Sequence, residues 1–453
     1  MRKSIAEAVE TRSPQGIAGG IARLISTGQL APGDRLPTVR ELAAELGVSP
    51  ATVSHAWQRL AASGLITSRG RSGSFVRSVP RDWLPRRYRG LDGALEARID
   101  LSRGTPDPEL LPALGPALSR ISTRADTVSY MQKPDIPELH DLLRETWPTA
   151  VESITVTNGA LDAIDRALAT LVRFGDRVVV ETPTFPPFLD LLEHHGLDPV
   201  PVPVDAHGMR PDRLATALRA NPAVVLLQPR AHNPTGASIT LQRAKELAFV
   251  LYRARGAERT LVIEDDHSGS ISTAPEVSLA AWLPERVLHV RSFSKSHGPD
   301  LRIGALGGPR ALVDRVVARR LLGPGWTSRM TQALLFELLT DPVPVAEVAH
   351  ARDVYAARQE RLAEELRRHG IDARAGDGIN TWLPVANERE AIVRLTAAGI
   401  RVAPGGPFLP EDETEGGHVR VTVGVAAQDL EGIAGALADA ARARVGAQPP
   451  EPI

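Results

Sequence analysis

Val287-Leu288-His289-Val290-Arg291-Ser292-Phe293-Ser294-Lys295, with Arg302 seven residues further on, is the stretch on which the fold of most of this chain turns. Its first half, Val287–Arg291, is a short apolar run that reads as a buried strand. Its second half is small and polar and ends in a lysine. Lysine is scarce here: of 53 basic residues only Lys3, Lys133, Lys245 and Lys295 are lysine, and the other 49 are arginine. An ammonium group can form a Schiff base, whereas a guanidinium cannot act as that nucleophile. A lysine kept at a strand end, where arginine has replaced it almost everywhere, fits a chemical need.

Working outward, similar runs recur at Ile154–Thr157, Arg177–Glu181, Ala223–Gln228, Leu261–Glu264 and Ile303–Leu306. Helical patterns lie between them, centred near residues 161–172, 185–195, 210–219, 240–254 and 274–282. This alternation predicts an α/β domain with a mostly parallel sheet, whose site should lie at the carboxyl ends of strands. Three further motifs occupy such ends. Thr157-Asn158-Gly159-Ala160 offers small residues and a helix N-terminus to an anion. Asn233-Pro234-Thr235-Gly236 follows the Ala223–Gln228 run, and a turn explains its Pro and Gly but not its Asn. Ile263-Glu264-Asp265-Asp266 ends a strand with three acids, which are costly there unless a cation pairs with them. No Walker P-loop or GxGxxG is present, so a nucleotide is not the obvious ligand. Together the four motifs describe a pyridoxal 5'-phosphate site: a lysine for the aldehyde, a carboxylate for the pyridine nitrogen, an asparagine for the 3-oxygen, and Ser, Arg and helix amides for the phosphate.

The N-terminal part has a different character. Residues 1–90 hold 14 Lys/Arg and 6 Asp/Glu, net +8, while the whole chain of 453 residues is net −1. A basic head on an acidic body implies a polyanion-binding module joined to something else. Ile17, Ile21, Leu24 and Ile25 repeat at helical spacing; Thr38 and Glu41 have capping-box spacing before Val39, Leu42, Ala43 and Leu46; Ser49 reads as an N-cap with Pro50 behind it. Two short helices meet around Gly47, and Leu65–Ser68 and Ser74–Arg77 flank Arg-Gly-Arg-Ser-Gly (69–73) as a hairpin. This is a winged helix-turn-helix in sequence form. Ser49, Ala51, Thr52 and His55 would face the major groove, with Arg40, Arg59, Arg69 and Arg71 placed for phosphates or, at the wing, the minor groove. Residues 79–98, with prolines and five arginines, read as a semi-extended basic linker. The expected organisation is therefore residues 12–78, the DNA-binding domain; 79–98, the linker; and 99–447, the effector domain with a smaller C-terminal subdomain.

Composition narrows the classes further. With no cysteine, disulfides, thiolate metal sites and cysteine catalysis are excluded. No apolar run approaches the length of a membrane span, and the expected location is the cytoplasm.

The head resembles the GntR family of bacterial repressors from Arg12 to Arg77, through Gly33-Asp34-Arg35-Leu36-Pro37, Arg40-Glu41-Leu42-Ala43, Leu46-Gly47-Val48-Ser49, Thr52-Val53 and Gly73-Ser74-Phe75-Val76. It departs at Pro50, where many members have arginine, so operator sequence does not carry over. The body resembles fold-type I aminotransferases from about Ile99 to Gly446. That resemblance implies that Lys295 forms the Schiff base and that Asp265 (or, one position along, Asp266) pairs with the pyridinium. It gives Asn233 the 3-oxygen, and Ser292, Ser294, Arg302 and the amides of Ala160 and Leu161 the phosphate. Phe185 would stack on the ring, Tyr130 reach the phosphate of a partner subunit, and Arg420 clamp a carboxylate of substrate or effector. His267 stands where the family usually has tyrosine, which puts efficient transamination in doubt. A GntR-type reader fused to such a body resembles the MocR subfamily. The resemblance implies a homodimeric, DNA-binding regulator that uses pyridoxal phosphate, alone or with an amino compound, as its signal. A working aminotransferase with an accessory head, and a regulator that binds no cofactor, are the alternatives.

Overall fold

The computed structural model describes residues 2–9, 11–31, 33–62, 65–68, 73–76, 85–91, 97–121, 129–410, 417–424 and 429–443. Residues 1–86 gather in one compact unit and the bulk of the chain from Arg87 onward in a second.

In the first unit, helices α1 (Arg2–Ala8), α2 (Pro14–Ser26), α3 (Val39–Leu46) and α4 (Pro50–Ala62) precede a hairpin of β1 (Ile66–Ser68) and β2 (Ser74–Val76). Two helix starts follow the caps read from sequence: Thr38 and Glu41 form a complete capping box, and Ser49 accepts from the Thr52 N–H at 3.2 Å. The sequence reading named no cap for α2, where Ser13 accepts from the Gly16 N–H at 3.1 Å. Ile17, Ile21, Leu42, Leu46, Val53, Trp57 and Leu60 bury the inner stripes against Ile66 and Val76. Each such side chain contributes roughly 1.5–3 kcal/mol, against about 1 kcal/mol for a cap, so the stripes decide packing and the caps decide boundaries. Helix α1 has no counterpart in the sequence reading; its Ile5 is fully buried in the same core. The hairpin pairs Ile66 with Val76, and residues 33–36 add a third, irregular edge through Gly33 N–H to Val76 and Leu36 N–H to Ser74.

The second unit contains strands β3 (Ile99–Leu101), β4 (Ser153–Thr157), β5 (Arg177–Thr182), β6 (Asp198–Asp205), β7 (Gly208–Met209), β8 (Val224–Leu227), β9 (Leu261–Asp266), β10 (Val287–Ser292), β11 (Gly304–Gly308), β12 (Asn380–Val385), β13 (Ile400–Pro404) and β14 (Gly417–Thr422). Eight form one sheet in the order β4-β11-β10-β9-β8-β5-β6-β7. β5, β8, β9 and β10 are parallel, while β11 runs antiparallel between β10 and β4. The crossover helices Ala160–Leu171, Pro186–His195, Pro211–Ala217 and Leu241–Arg253 match the helical periodicities. The helix expected near 274–282 is reduced to a 3₁₀ turn, Leu279–Ala281. Pro275 and Pro284 bracket it, and Glu264 on β9 captures Ser278 Oγ and the Leu279 N–H. The segment read as an extended linker contains a short helix, Arg86–Leu91, which a sequence without apolar periodicity did not announce.

A smaller sheet, β12-β14-β13-β3, packs with helices Pro342–Arg368, Glu388–Ala397 and Leu430–Arg442 around Leu362, Leu366, Leu383, Val402, Val419, Val421 and Leu437. β3 pairs parallel to β13, so the first strand of the body is stitched into its last subdomain.

Candidate functional site

The three acids ending β9 occupy different environments. Glu264 accepts from Ser278 Oγ at 2.6 Å and the Leu279 N–H at 2.7 Å, with His289 Nδ1 at 2.8 Å. Asp266 is paired with Arg230 at 2.5 Å. Burial pushes the Asp266 carboxyl up, but the Arg230 guanidinium and its hydrogen bond overcome this and leave it below the usual carboxylate range. Asp265 differs from both. Its Oδ2 accepts from Gln228 Nε2 at 2.8 Å, while its buried Oδ1 has no partner among the described residues. Burial pushes Asp265 up to about 7. Of the two candidates for a ring-nitrogen partner, Asp265 has a free oxygen and Asp266 is engaged.

Lys295 follows β10. Its Nζ donates to the Gly104 carbonyl, and burial, with Arg420 nearby, pulls its pKa down to about 8. Arg420 on β14 is almost completely buried; it donates to the Ser102 carbonyl and, at 3.4 Å, to Asn233 Oδ1, and lies 5.1 Å over the Phe408 ring. Its Nε has no partner, no carboxylate pairs with it among the described residues, and burial draws its pKa down to about 10. Gly104 sits at φ +62°, and a Cβ there would come within 3.0 Å of the Arg420 guanidinium. The Ser102–Gly104 turn therefore lies against both cations. His267 is half-buried; burial and the Lys295 charge depress it to about 4, so it is neutral, and its Nδ1 is unpartnered.

The end of the candidate site expected to hold an anion is built from β4 and β11. Gly159, φ +93°, caps helix Ala160–Leu171 without a side-chain hydrogen bond, leaving the first helix amides, those of Ala160 and Leu161, uncapped. A Cβ on Gly159 would meet Arg302 Nη2 at 3.0 Å, so that guanidinium stands over the helix start. Ser292, the last residue of β10, faces Gly304 on β11, which faces Thr157 on β4. The Ser294 N–H donates to Ser292 Oγ at 3.3 Å. Phe185 is half-buried, edge-on to Phe188 at 5.4 Å, and its neighbour Thr184 donates its N–H to the Phe408 carbonyl. Tyr130 is 87% exposed and its ring lies 5.9 Å from that of Trp326, so this chain does not fold it onto its own site residues.

In the head, Ser49, Ala51 and His55 are exposed on or just before the first half of α4 and Thr52 is half-exposed, while the exposed Arg40 lies in the first turn of α3 and the exposed Arg59 in the last turn of α4. The Ser49 hydroxyl lies 2.9 Å from Thr52 Oγ1 as well as capping the helix, so these two side chains brace each other. Arg69 and Arg71 lie outside the described residues.

Residues 97–437 match the aminotransferase class I and II family, and residues 15–76 match the gntR family of bacterial regulatory proteins. The chain belongs to the MocR-type transcriptional regulators. It is 37% identical over 405 residues to the vitamin B6 salvage pathway transcriptional repressor PtsJ of Salmonella typhimurium, covering 88% of this chain and 92% of that protein. It is 31% identical to the HTH-type transcriptional regulator TauR of Rhodobacter capsulatus, over 85% of this chain and 87% of that one. Among solved structures, kynurenine aminotransferase of Pyrococcus horikoshii superposes with a TM-score of 0.68 at 22% identity, over 77% of this chain and 91% of that one, which establishes the fold. The regulator's head is thus a DNA-binding domain and its body an aminotransferase fold. No helix among the described residues is long and apolar enough to cross a membrane.

Several residues of this regulator's site escaped the sequence reading. Gln228 ties Asp265 to Asn233; Glu181 lies buried beside it; Arg230 neutralises Asp266; and Ser102 and Gly104 receive the two cations. The one available signal was Gln228 itself, a polar residue closing an otherwise apolar run.

Proposed function

We propose that this regulator holds pyridoxal 5'-phosphate at the carboxyl ends of β4, β9 and β10, and that the cofactor, alone or joined to an amino compound, is its signal. The observation that carries the reading is Asp265 Oδ1, a buried carboxylate oxygen without a donor. Such an atom is costly unless a ligand brings an N–H to it, and a protonated pyridine nitrogen does so. Lys295 would hold the aldehyde carbon, Asn233 and the free Nδ1 of His267 the 3-oxygen, and Phe185 the ring face. Ser292, Ser294, Arg302 and the amides of Ala160 and Leu161 would hold the phosphate, joined in a homodimer by Tyr130 of the other copy. When bound, the cofactor supplies an electron sink and a carbonyl reactive toward amines. Arg420, buried without a carboxylate, supports an effector that carries one.

The DNA contacts are assigned to Arg40, Ser49, Ala51, Thr52, His55, Arg59, Arg69 and Arg71, within a domain spanning residues 12–78. A basic linker, 79–98, leads to the effector domain, 99–447, in a cytoplasmic protein. The route from ligand to head runs through the chain itself. Lys295 and Arg420 hold the carbonyls of Gly104 and Ser102 when no ligand competes for them. A ligand that takes both cations releases the turn next to β3, the strand that continues the linker, and this differential contact shifts the populations of head arrangements.

Purified protein supplied with pyridoxal 5'-phosphate is expected to show a visible absorption band that Lys295→Ala abolishes. No band in the wild type, or one that survives the substitution, overturns the cofactor reading. The second reading, a working aminotransferase, draws on Asn233, Lys295 and Arg420 standing together; rapid multiple turnover with amino and keto acids would make it primary.

A further inference from the structure

Gln228 closes the apolar run of β8 and makes three buried hydrogen bonds at once. Its Nε2 donates to Asp265 Oδ2 at 2.8 Å, its Oε1 accepts from the Asn233 N–H at 2.9 Å, and its own N–H donates to Glu181 Oε2 at 2.8 Å. The orientation of this amide is not free. A backbone N–H can only donate, so the Asn233 N–H must meet the carbonyl end, and the NH₂ end is left to Asp265. Asp265 Oδ2 must then accept, which makes Oδ1 the single open position on that carboxyl. Glu181 is constrained likewise: its Oε2 accepts from the Gln228 N–H, and its Oε1 is buried and unpartnered.

Two buried carboxyls therefore meet at one residue, and their surroundings differ in charge. Asp265 is within electrostatic reach of Lys295 and, across the strand, of His289, with Asp266 on its own strand and Glu181 from β5. Glu181 faces Asp265, and His232 Nε2 stands 3.4 Å from its Oε2. His232 is depressed to about 3 by burial and so brings no positive charge, its Nδ1 lying 2.8 Å from Thr235 Oγ1. Burial pushes Glu181 up to about 8, above Asp265 at about 7.

We infer that Gln228 is the positioning residue of the cofactor site: its side-chain amide directs the negative charge of this buried pair onto Asp265, aims Oδ1 at the ligand, fixes Asn233 beside it, and leaves Glu181 as the neutral partner. The inference rests on the cofactor reading above and adds to it which group sets the protonation of the ring nitrogen.

Gln228→Met is the test, made in the full-length chain. Methionine keeps the length of the side chain and the backbone N–H to Glu181, and loses both side-chain bonds. Affinity for pyridoxal 5'-phosphate, read by equilibrium dialysis, is expected to fall about tenfold or more, as for loss of a hydrogen bond to a charged group. The pH midpoint of the bound cofactor's visible band is expected to move up by about one unit, because a less protonated ring no longer repels a proton at the neighbouring lysine nitrogen. A purely structural role would lower thermal stability without moving that midpoint. Should Gln228→Met fail to fold, Gln228→Asn, one methylene too short to span both partners, is expected to shift the midpoint in the same direction. Wild-type affinity and midpoint in a folded variant overturn this inference alone; a wild type that binds no cofactor overturns it together with the reading it rests on.

Discussion

Glu264, Asp265 and Asp266 are consecutive acids with three different fates, and the pleat of β9 is the reason. Residues i and i+2 share a face, so Glu264 and Asp266 both lie near His289, at 2.8 and 3.9 Å, while Asp265 points to the other side and meets Gln228. The sequence reading left Asp265 and Asp266 as alternatives because spacing alone does not say which face carries the arginine. Glu181 provides a test at this scale. It keeps its proton up to about 8 in the folded protein, against an ordinary value of 4.5 in the unfolded chain. Its contribution to stability is complete below the ordinary value and is lost as the pH rises through about 8. Glu181→Gln removes that dependence while retaining an acceptor for the Gln228 N–H. The cofactor-free variant is expected to melt a few degrees above wild type at pH 8, with the two converging near pH 4.5 in calorimetry. A difference that does not change with pH would show that Glu181 is not a buried neutral acid.

At the scale of elements, the central strands and crossover helices with strong periodicity were legible to within a few residues, and so were the caps of α3 and α4. The sequence reading did not give β6, β7, β12, β13, β14 or the helices from Arg310 onward, and among the elements it missed or misjudged some depend for their existence on distant partners. β3 is three residues long and exists because β13 pairs with it; residues near 274–282 lost their helix because Glu264 captured Ser278 and Leu279. The Ser102–Gly104 turn belongs to the same class, since its carbonyls are held by cations some two to three hundred residues away along the chain. Gly104→Ala tests the turn. At φ +62° a Cβ is strained whatever the space, and here it would also push on Arg420. The expected outcome is a protein that binds operator DNA with an affinity that no longer responds to pyridoxal 5'-phosphate, measured by fluorescence anisotropy; an unaltered response would exclude this turn from the signal path.

For the whole molecule, the +8 of the first 90 residues and the −9 of the remainder describe two parts with opposite tasks, hidden in a total of −1. Arg40 stands exposed in the first turn of α3, and a phosphate contact requires such exposure. Arg40→Ala is expected to weaken binding to the protein's own upstream DNA about tenfold and to reduce the salt slope of that binding by about one. Thr52→Ala is expected to weaken binding to this DNA more than to unrelated DNA; binding unchanged by both substitutions would move the interface elsewhere.

By itself the sequence determined the division into a basic reader and an α/β body, the order along the chain of the six strands β4, β5, β8, β9, β10 and β11, and the lysine, asparagine and acids expected in the site. These follow from periodicity, capping and residue chemistry, which are local properties. Only the tertiary structure decided which acid is free, that Gln228 links it to Asn233 and Glu181, and that Ser102 and Gly104 lie against Lys295 and Arg420. Each of those facts is a meeting of residues remote in sequence, fixed by strand register and by the need to satisfy buried polar atoms, and no local pattern encodes such a meeting.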